Sequence, residues 1–121
     1  MKRILVADDD RNVLYLISEL LARSRYDVSQ AVNGDQALQM ARELLPDLVI
    51  LDVMMPGKDG LEVCRALKQD PATAPIKVII VTAKAQGRDR EAGLEAGADE
   101  YITKPFRLNE LLEKIEKNLP A

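Results

Sequence analysis

The sequence predicts an α/β fold in which helices cover both faces of a parallel β-sheet. Short apolar runs alternate five times with amphipathic segments along the 121 residues, a pattern typical of repeated strand–helix units. The third run, Leu48-Val-Ile-Leu51, contains no polar residue, which is typical of a strand that is buried on both faces. Several of these runs are followed directly by a polar side chain, so the predicted fold also determines where those side chains lie.

Length and composition limit the classes of protein that the chain can belong to. We expect residues 1–121 to form a single domain, because a chain of this length has no room for a second one. The net charge of −3 argues against nucleic acid as a direct partner. No apolar stretch is long enough for a signal peptide or a membrane span. We therefore predict a cytoplasmic protein without a membrane partner.

The first half of the chain predicts three strands and two helices. A strand at residues 4–7 is followed by three aspartates, the last of which, Asp10, is a candidate N-cap for a helix with apolar residues at helical spacing. Residues 27–32 alternate in polarity, as an edge strand does. Asn33 and Gln36 predict the start of a second helix, which Pro46 ends before the third strand.

The second half predicts two further strands and three helices. Asp59 with Glu62 has the spacing of a capping box, and the helix that follows places Cys64 on its apolar side as a buried structural thiol. A buried strand at residues 76–81 ends at Thr82-Ala83-Lys84. The next helix, about 87–96, contains a glycine and a thin apolar face, so we expect it to be the least stable. A short strand at 101–102 and a last helix without a side-chain cap complete the chain.

Polar residues follow the carboxyl ends of four predicted strands. Right-handed crossovers bring those ends to one edge of a parallel sheet, where open α/β sheets bind their ligands. The residues at that edge are Asp8, Asp9, Asp52, Thr82 and Lys104. Their convergence indicates a functional site more specifically than any one of them does. A single aspartate at a strand end is more often a turn residue or a helix cap, as we expect for Asp10, Asp35 and Asp59.

The chemistry of these five residues favours phosphoryl transfer. Three neighbouring carboxylates repel one another unless a cation lies between them, and all-oxygen ligands suit one Mg²⁺ in a chain that has no histidine. Lys104 can pair with a phosphoryl oxygen, and Thr82 can donate a hydroxyl hydrogen bond. Together with a carboxylate nucleophile, these groups are sufficient for phosphorylation of an aspartate.

Five ordered motifs make the chain resemble the receiver domain of two-component response regulators, in a layout similar to the single-domain chemotaxis regulator. The resemblance covers nearly the whole chain and implies a flavodoxin-like doubly wound fold with strand order 2-1-3-4-5. It rests on Asp8-Asp9, on Leu51-Asp52-Val-Met-Met-Pro56-Gly-Lys-Asp59-Gly60, on Thr82-Ala83, on Gly93-Leu-Glu-Ala-Gly97-Ala-Asp99 and on Lys104-Pro105-Phe106.

The resemblance implies a role for each residue at the sheet edge. Asp52 would accept a phosphoryl group from the phosphohistidine of a sensor kinase or phosphotransfer protein. Mg²⁺ would be bound by Asp9, Asp52 and the carbonyl of Met54, and by Asp8 through water. Lys104 would hold the phosphoryl group next to a cis peptide bond to Pro105. Thr82 and Tyr101 would move as a switch, whose output would be a downstream domain or a target protein.

Two further features of the sequence concern regulation. Met54 is apolar where some receivers carry a polar residue, which predicts a long-lived aspartyl phosphate. A charged set similar to the dimer face of receivers from winged-helix transcription factors predicts a homodimer on phosphorylation, although a solvated face is the alternative. That set comprises Arg90, Glu95, Asp99, Glu100, Glu110 and Lys114.

Three competing interpretations stay open. A flavodoxin-like cofactor binder needs a loop of small polar residues after the first strand, where this chain has three aspartates that would repel phosphate. An aspartyl-nucleophile phosphohydrolase needs a second aspartate two residues after the nucleophile, where this chain has Met54. A pseudo-receiver that is never phosphorylated would act only as an interaction module.

Overall fold

The computed structural model describes residues 2–83 and 87–119, with only the backbone for 87–90. Five strands alternate with five helices, as the sequence predicts. Lys84, at the end of the predicted fourth strand, lies outside the described residues. The elements are β1 (Arg3–Ala7), α1 (Arg11–Arg23), β2 (Asp27–Ala31), α2 (Gly34–Leu44), β3 (Leu48–Leu51), α3 (Gly60–Gln69), β4 (Lys77–Thr82), α4 (Gly87–Glu95), β5 (Glu100–Thr103) and α5 (Leu108–Asn118).

The five strands form one parallel sheet in the order β2-β1-β3-β4-β5. The predicted sheet order and the edge position of β2 are therefore confirmed. The order reverses direction after β1, which leaves a crevice at the carboxyl ends of β1 and β3. Any site at this switch point is built from the loops that follow those two strands.

Alternating residues of the central strand face two separate apolar clusters. Leu48 and Ile50 pack with α1 and α5, whereas Val49 and Leu51 pack with α2, α3 and the residues that follow α4. All four side chains are at most 1% exposed, which confirms that β3 is buried on both faces. Burial of one such side chain contributes about 1.5–3 kcal/mol, so the four side chains together anchor β3 in the core.

The helix ends follow the predicted caps in most cases. Asp10, Asn33 and Asp59 each accept backbone hydrogen bonds as N-caps of α1, α2 and α3. The Gln36 side chain accepts from the backbone N–H of Val32, so α2 has side-chain bonds in both directions. The N-cap position of α5 is Arg107, which makes no side-chain cap bond, as predicted. Among residues 2–83 and 87–119, no helix has the length and hydropathy needed to cross a membrane.

Candidate functional site at the carboxyl edge of the sheet

Strand register places the candidate residues side by side. Ala7 of β1 pairs with Leu51 of β3, so the residues that follow them, Asp8 and Asp52, are neighbours at the end of the sheet. The backbone N–H of Asp52 donates to the carbonyl of Ala7, which extends the ladder by one step and fixes the position of the carboxylate. Asp52 therefore occupies the position that the sequence predicts, where a buried strand emerges from the core.

Three carboxylates and one ammonium group converge at this edge. Single carboxylate oxygens of Asp8, Asp9 and Asp52 lie within 4.8 Å of one another. The Nζ atom of Lys104 donates to Oδ2 of Asp8 and to Oδ2 of Asp52, each at 3.0 Å. Asp8 and Asp52 are buried, whereas Asp9 is exposed. The structure thus brings four of the five residues that the sequence assigns to the site into direct or near contact. These four are Asp8, Asp9, Asp52 and Lys104.

Both carboxylate oxygens of Asp52 accept hydrogen bonds from the protein. Oδ1 accepts from the backbone N–H of Met54 at 3.1 Å, and Oδ2 accepts from Lys104. Burial raises the pKa of Asp52, an effect that the hydrogen bonds from Lys104 and Met54 oppose. For Lys104, burial lowers the pKa, but the bonds to Asp52 and Asp8 outweigh this and raise it above its ordinary value. Lys104 is therefore a permanent cation at neutral pH that favours ionised Asp52.

An open cleft of about 590 Å³ lies next to the three carboxylates. One water occupies roughly 30 Å³ of liquid, so the cleft has room for a hydrated cation together with a phosphoryl group. Its polar lining includes Asp9, Asp52 and Lys104, and Met54, which is 58% exposed, also lines it. A donor set of hard oxygens with no nitrogen or sulfur fits Mg²⁺ better than zinc. The residues present therefore fit the predicted metal.

Gly60 supports the nucleophile and was not among the predicted site residues. It is the first residue of α3, and its backbone N–H donates to the carbonyl of Val53 at 3.1 Å. A Cβ atom at this position would overlap the carbonyl oxygen of Asp52. The start of α3 can lie against the Asp52 loop only because residue 60 has no side chain. The Asp59-Gly60 pair in the sequence is the signal that could have indicated this contact.

The predicted switch residues, Thr82 and Tyr101, are both buried. Thr82 ends β4 and is fully buried, and its carbonyl accepts the backbone N–H of Lys104 at 2.7 Å. The Lys104–Pro105 peptide bond is cis, which is the isomer that the resemblance implies. Tyr101 is only 6% exposed and packs in the cluster formed with α2 and α3. The same β4–β5 pairing therefore connects Thr82, Lys104 and Tyr101.

The predicted dimer residues divide into two groups. Glu95 and Glu110 are exposed, and the side chain of Arg90 lies outside the described residues. Glu100 instead pairs within the chain, with Lys114 at 3.5 Å and Lys117 at 3.3 Å, and accepts a bond from Asn118. These contacts attach the start of β5 to the end of α5, so Glu100 and Lys114 already have partners in the monomer.

Asp99 belongs to a network that sequence reasoning missed. Its Oδ2 atom accepts from the backbone N–H of Val78 at 2.8 Å and from Nζ of Lys68 at 3.1 Å. Lys68 also donates to the carbonyl of Ile76 at 2.6 Å. Asp99 therefore fixes β5 to β4 and α3 at the edge opposite the carboxylates. The contact joins residues 31 positions apart, so no local pattern indicates it.

Comparison with known proteins decides the family. The profile of the response regulator receiver domain matches residues 4–116. The chain belongs to the response regulator receiver domain family. The receiver domain is 44% identical over 115 residues to the DNA-binding dual master transcriptional regulator RpaA of Synechocystis, covering 95% of this chain and 48% of that protein. It is also 44% identical over 115 residues to the alkaline phosphatase synthesis transcriptional regulatory protein PhoP of Bacillus subtilis, covering 95% and 47%.

Solved structures have the same fold. A putative response regulator from Chloroflexus aurantiacus superimposes with a TM-score of 0.93 at 35% identity, over 99% of this chain and 98% of that chain. The receiver domain spans about half the length of the curated relatives RpaA and PhoP. The chain is therefore a receiver domain of two-component systems.

Proposed function

We propose that this receiver domain is phosphorylated on Asp52 by the phosphohistidine of a sensor kinase or phosphotransfer protein. The observation that carries the proposal is the position of Lys104, whose Nζ atom lies 3.0 Å from both Asp8 and Asp52 at the switch point of the sheet. This arrangement places a fixed positive charge beside the nucleophile, where the charge of a transferring phosphoryl group develops.

The transfer step uses one oxygen of Asp52. That oxygen attacks phosphorus, the P–N bond to the histidine breaks, and its electron pair returns to the imidazole ring. Lys104 stays within reach of the new phosphoryl oxygens, and the Met54 N–H holds the other oxygen of Asp52 in place. Hydrolysis later breaks the P–O bond and releases inorganic phosphate. The domain catalyses only its own phosphorylation and dephosphorylation, so it is a signalling domain rather than an enzyme acting on separate substrates.

Mg²⁺ supplies charge neutralisation between the carboxylates and the incoming phosphoryl oxygens when it is bound. Asp9 and Asp52 would hold it, with Asp8 acting through water and Met54 through its backbone carbonyl. Support comes from the three carboxylates within 4.8 Å and from the open cleft beside them.

The signal would then pass to the surface formed by α4, β5 and α5. Thr82 would bond a phosphoryl oxygen, and the ring of Tyr101 would take an inward position behind it. A phosphate adds charge at one end of β4, and the packed strand pair β4–β5 is the element that it biases. We also expect a homodimer through this surface, to which the exposed Glu95 and Glu110 would contribute.

Labelling with a small phosphodonor tests the proposal. Acetyl phosphate with MgCl₂ should add one phosphoryl group to the intact protein, detected by mass spectrometry. The adduct should be absent in Asp52→Ala and after chelation of the metal, whereas Asp59→Ala, which removes only a helix cap in the same cleft, should still be labelled. Labelling that persists in Asp52→Ala would exclude Asp52 as the acceptor.

The competing interpretations give different results in the same assay. A pseudo-receiver would not be labelled at all, and a phosphohydrolase would release phosphate from added esters with many turnovers. Sedimentation with beryllofluoride and MgCl₂ tests dimer formation, and a monomer under all conditions would contradict it. A cytoplasmic location stays a prediction, which fractionation of the native cells would test.

A further inference from the structure

Gly93 lies in the last part of α4, where glycine is an unfavourable residue. Glycine inside a helix costs about 1 kcal/mol relative to alanine. Gly93 is buried, and a Cβ atom placed on it would lie 2.7 Å from Cδ2 and 3.0 Å from Cε2 of the Tyr101 ring. The ring therefore occupies the space that an alanine side chain would need.

The backbone just before Tyr101 is held by contacts of two neighbouring residues. Asp99, two residues earlier, accepts from Val78 and Lys68, and Glu100 pairs with Lys114. These contacts hold β5 against β4, α3 and α5, and a hydrogen bond from the Ala98 N–H to the carbonyl of Gly93, at 3.2 Å, limits how far residue 93 can move away from β5. The ring is attached through single bonds and can leave by a change of rotamer while the strand stays in place. Crowding at residue 93 should therefore act on the orientation of the ring.

We infer that Gly93 is a positioning residue for Tyr101, because its missing side chain forms the slot that holds the ring on the inner side of β5. The slot itself is a matter of packing, whereas its consequence for signalling rests on the proposed function. If phosphorylation favours the inward ring, then a residue that closes the slot opposes phosphorylation through the same equilibrium.

Gly93→Ala should have two measurable effects. In the protein without phosphodonor, the ring of Tyr101 should move outward and become accessible to solvent. The apparent affinity for beryllofluoride should fall by about tenfold, since an overlap of this kind has to be relieved before the inward ring can form. Helix propensity alone predicts the opposite, because alanine would stabilise α4.

The experiment uses the full chain with Tyr15→Phe and Tyr26→Phe, which leaves Tyr101 as the one tyrosine of the sequence. Ring accessibility is measured by NMR with a soluble paramagnetic agent, and beryllofluoride affinity by titration of the ring signals or, where the ring is absent, of backbone amide signals. Glu91→Ala is the matched control, since residue 91 is an exposed position on the same helix.

A double-mutant cycle with Tyr101→Leu separates the ring from other effects of the substitution. If Gly93 acts through the ring, Gly93→Ala should change beryllofluoride affinity in the protein that keeps Tyr101 and leave it within twofold in the protein that carries Tyr101→Leu. The inference is overturned if the ring of Gly93→Ala stays as protected as in the parent, or if the loss of affinity is the same in both backgrounds.

Two outcomes concern folding and the proposed function. Should Gly93→Ala fail to fold, Gly93→Ala with Tyr101→Leu must recover the fold, and its failure to do so would also overturn the inference. Should the parent protein not bind beryllofluoride, the proposed function would be contradicted, while ring accessibility in the two proteins would still decide whether Gly93 forms the slot.

Discussion

Replacement of Lys104 by methionine should destabilise the receiver domain in a pH-dependent way. Lys104 contacts Asp8 and Asp52 at 3.0 Å each, and at an effective dielectric constant of about 20 each contact corresponds to a gross attraction of roughly 5 kcal/mol. Desolvation of three charged groups offsets most of that attraction. Breaking a buried pair typically costs about 3–5 kcal/mol, and because the Lys104 side chain is 21% exposed, we expect about 2–3 kcal/mol near pH 8.

The loss should become smaller as the pH falls. Burial already raises the pKa of Asp52, and the Lys104 bond is among the effects that lower it. Without the lysine, the pKa of Asp52 rises further, so the folded mutant takes up a proton at a higher pH than the unfolded chain does. A carboxyl group with a raised pKa stabilises the fold at low pH and loses that contribution as the pH rises through its folded pKa. The difference from wild type should therefore be largest near neutral and alkaline pH.

Urea unfolding followed by far-UV circular dichroism measures this difference, at about pH 5 and about pH 8, with and without millimolar MgCl₂. Mg²⁺ should reduce the loss because it replaces the missing positive charge between the carboxylates. Lys77→Met is the control, since its side chain is 45% exposed and 3.9 Å from Asp99, and it should cost less than about 1 kcal/mol. Equal losses for Lys104→Met at both pH values would refute the electrostatic argument.

Three further substitutions or treatments give separate tests. Gly60→Ala should lower the free energy of unfolding by about 1–3 kcal/mol and slow labelling by acetyl phosphate, because its Cβ would overlap the Asp52 carbonyl; unchanged values in both assays would contradict the close approach. Cys64, whose pKa burial raises to about 11 from 9.0, should react with iodoacetamide at least about a hundredfold more slowly in the folded protein than in urea near pH 8, and fast labelling of the folded protein would show that the thiol is accessible. Met54→Asn should shorten the lifetime of the aspartyl phosphate, because an amide can orient the attacking water. Tyr15→Phe, a conservative change at an exposed position of α1, serves as the control, and a longer lifetime in Met54→Asn would reject the hypothesis.

Much of the site could be predicted because it is made of strand ends. Asp52 follows an apolar run that has to be a buried strand, and Lys104 follows the last short strand before a Pro-Phe pair. Parallel topology then brings such positions to one edge without further information. The helix caps Asp10, Asn33 and Asp59 were predictable for a similar reason, because capping depends on residues only two or three positions apart.

Contacts between distant segments could not be predicted in this way. The resemblance to receivers assigns Asp99 and Glu100 to a dimer face, and in the structure Asp99 binds Lys68 and Val78, and Glu100 binds the end of α5. Charges in a sequence show only that partners are needed. Which partner is within reach depends on how α3, β4 and α5 are arranged around β5.

The sequence by itself determined the alternation of strands and helices, the buried central strand and the identity of the charged residues at its end, because each depends on local periodicity or on a few adjacent side chains. The tertiary structure decided that Lys104 bridges Asp8 and Asp52, that Gly60 lies against the Asp52 carbonyl and that Gly93 faces the ring of Tyr101. These are contacts between segments from 8 to 96 positions apart. They are fixed by strand register and by close packing of helices on the sheet, and neither is written in any one segment of the chain.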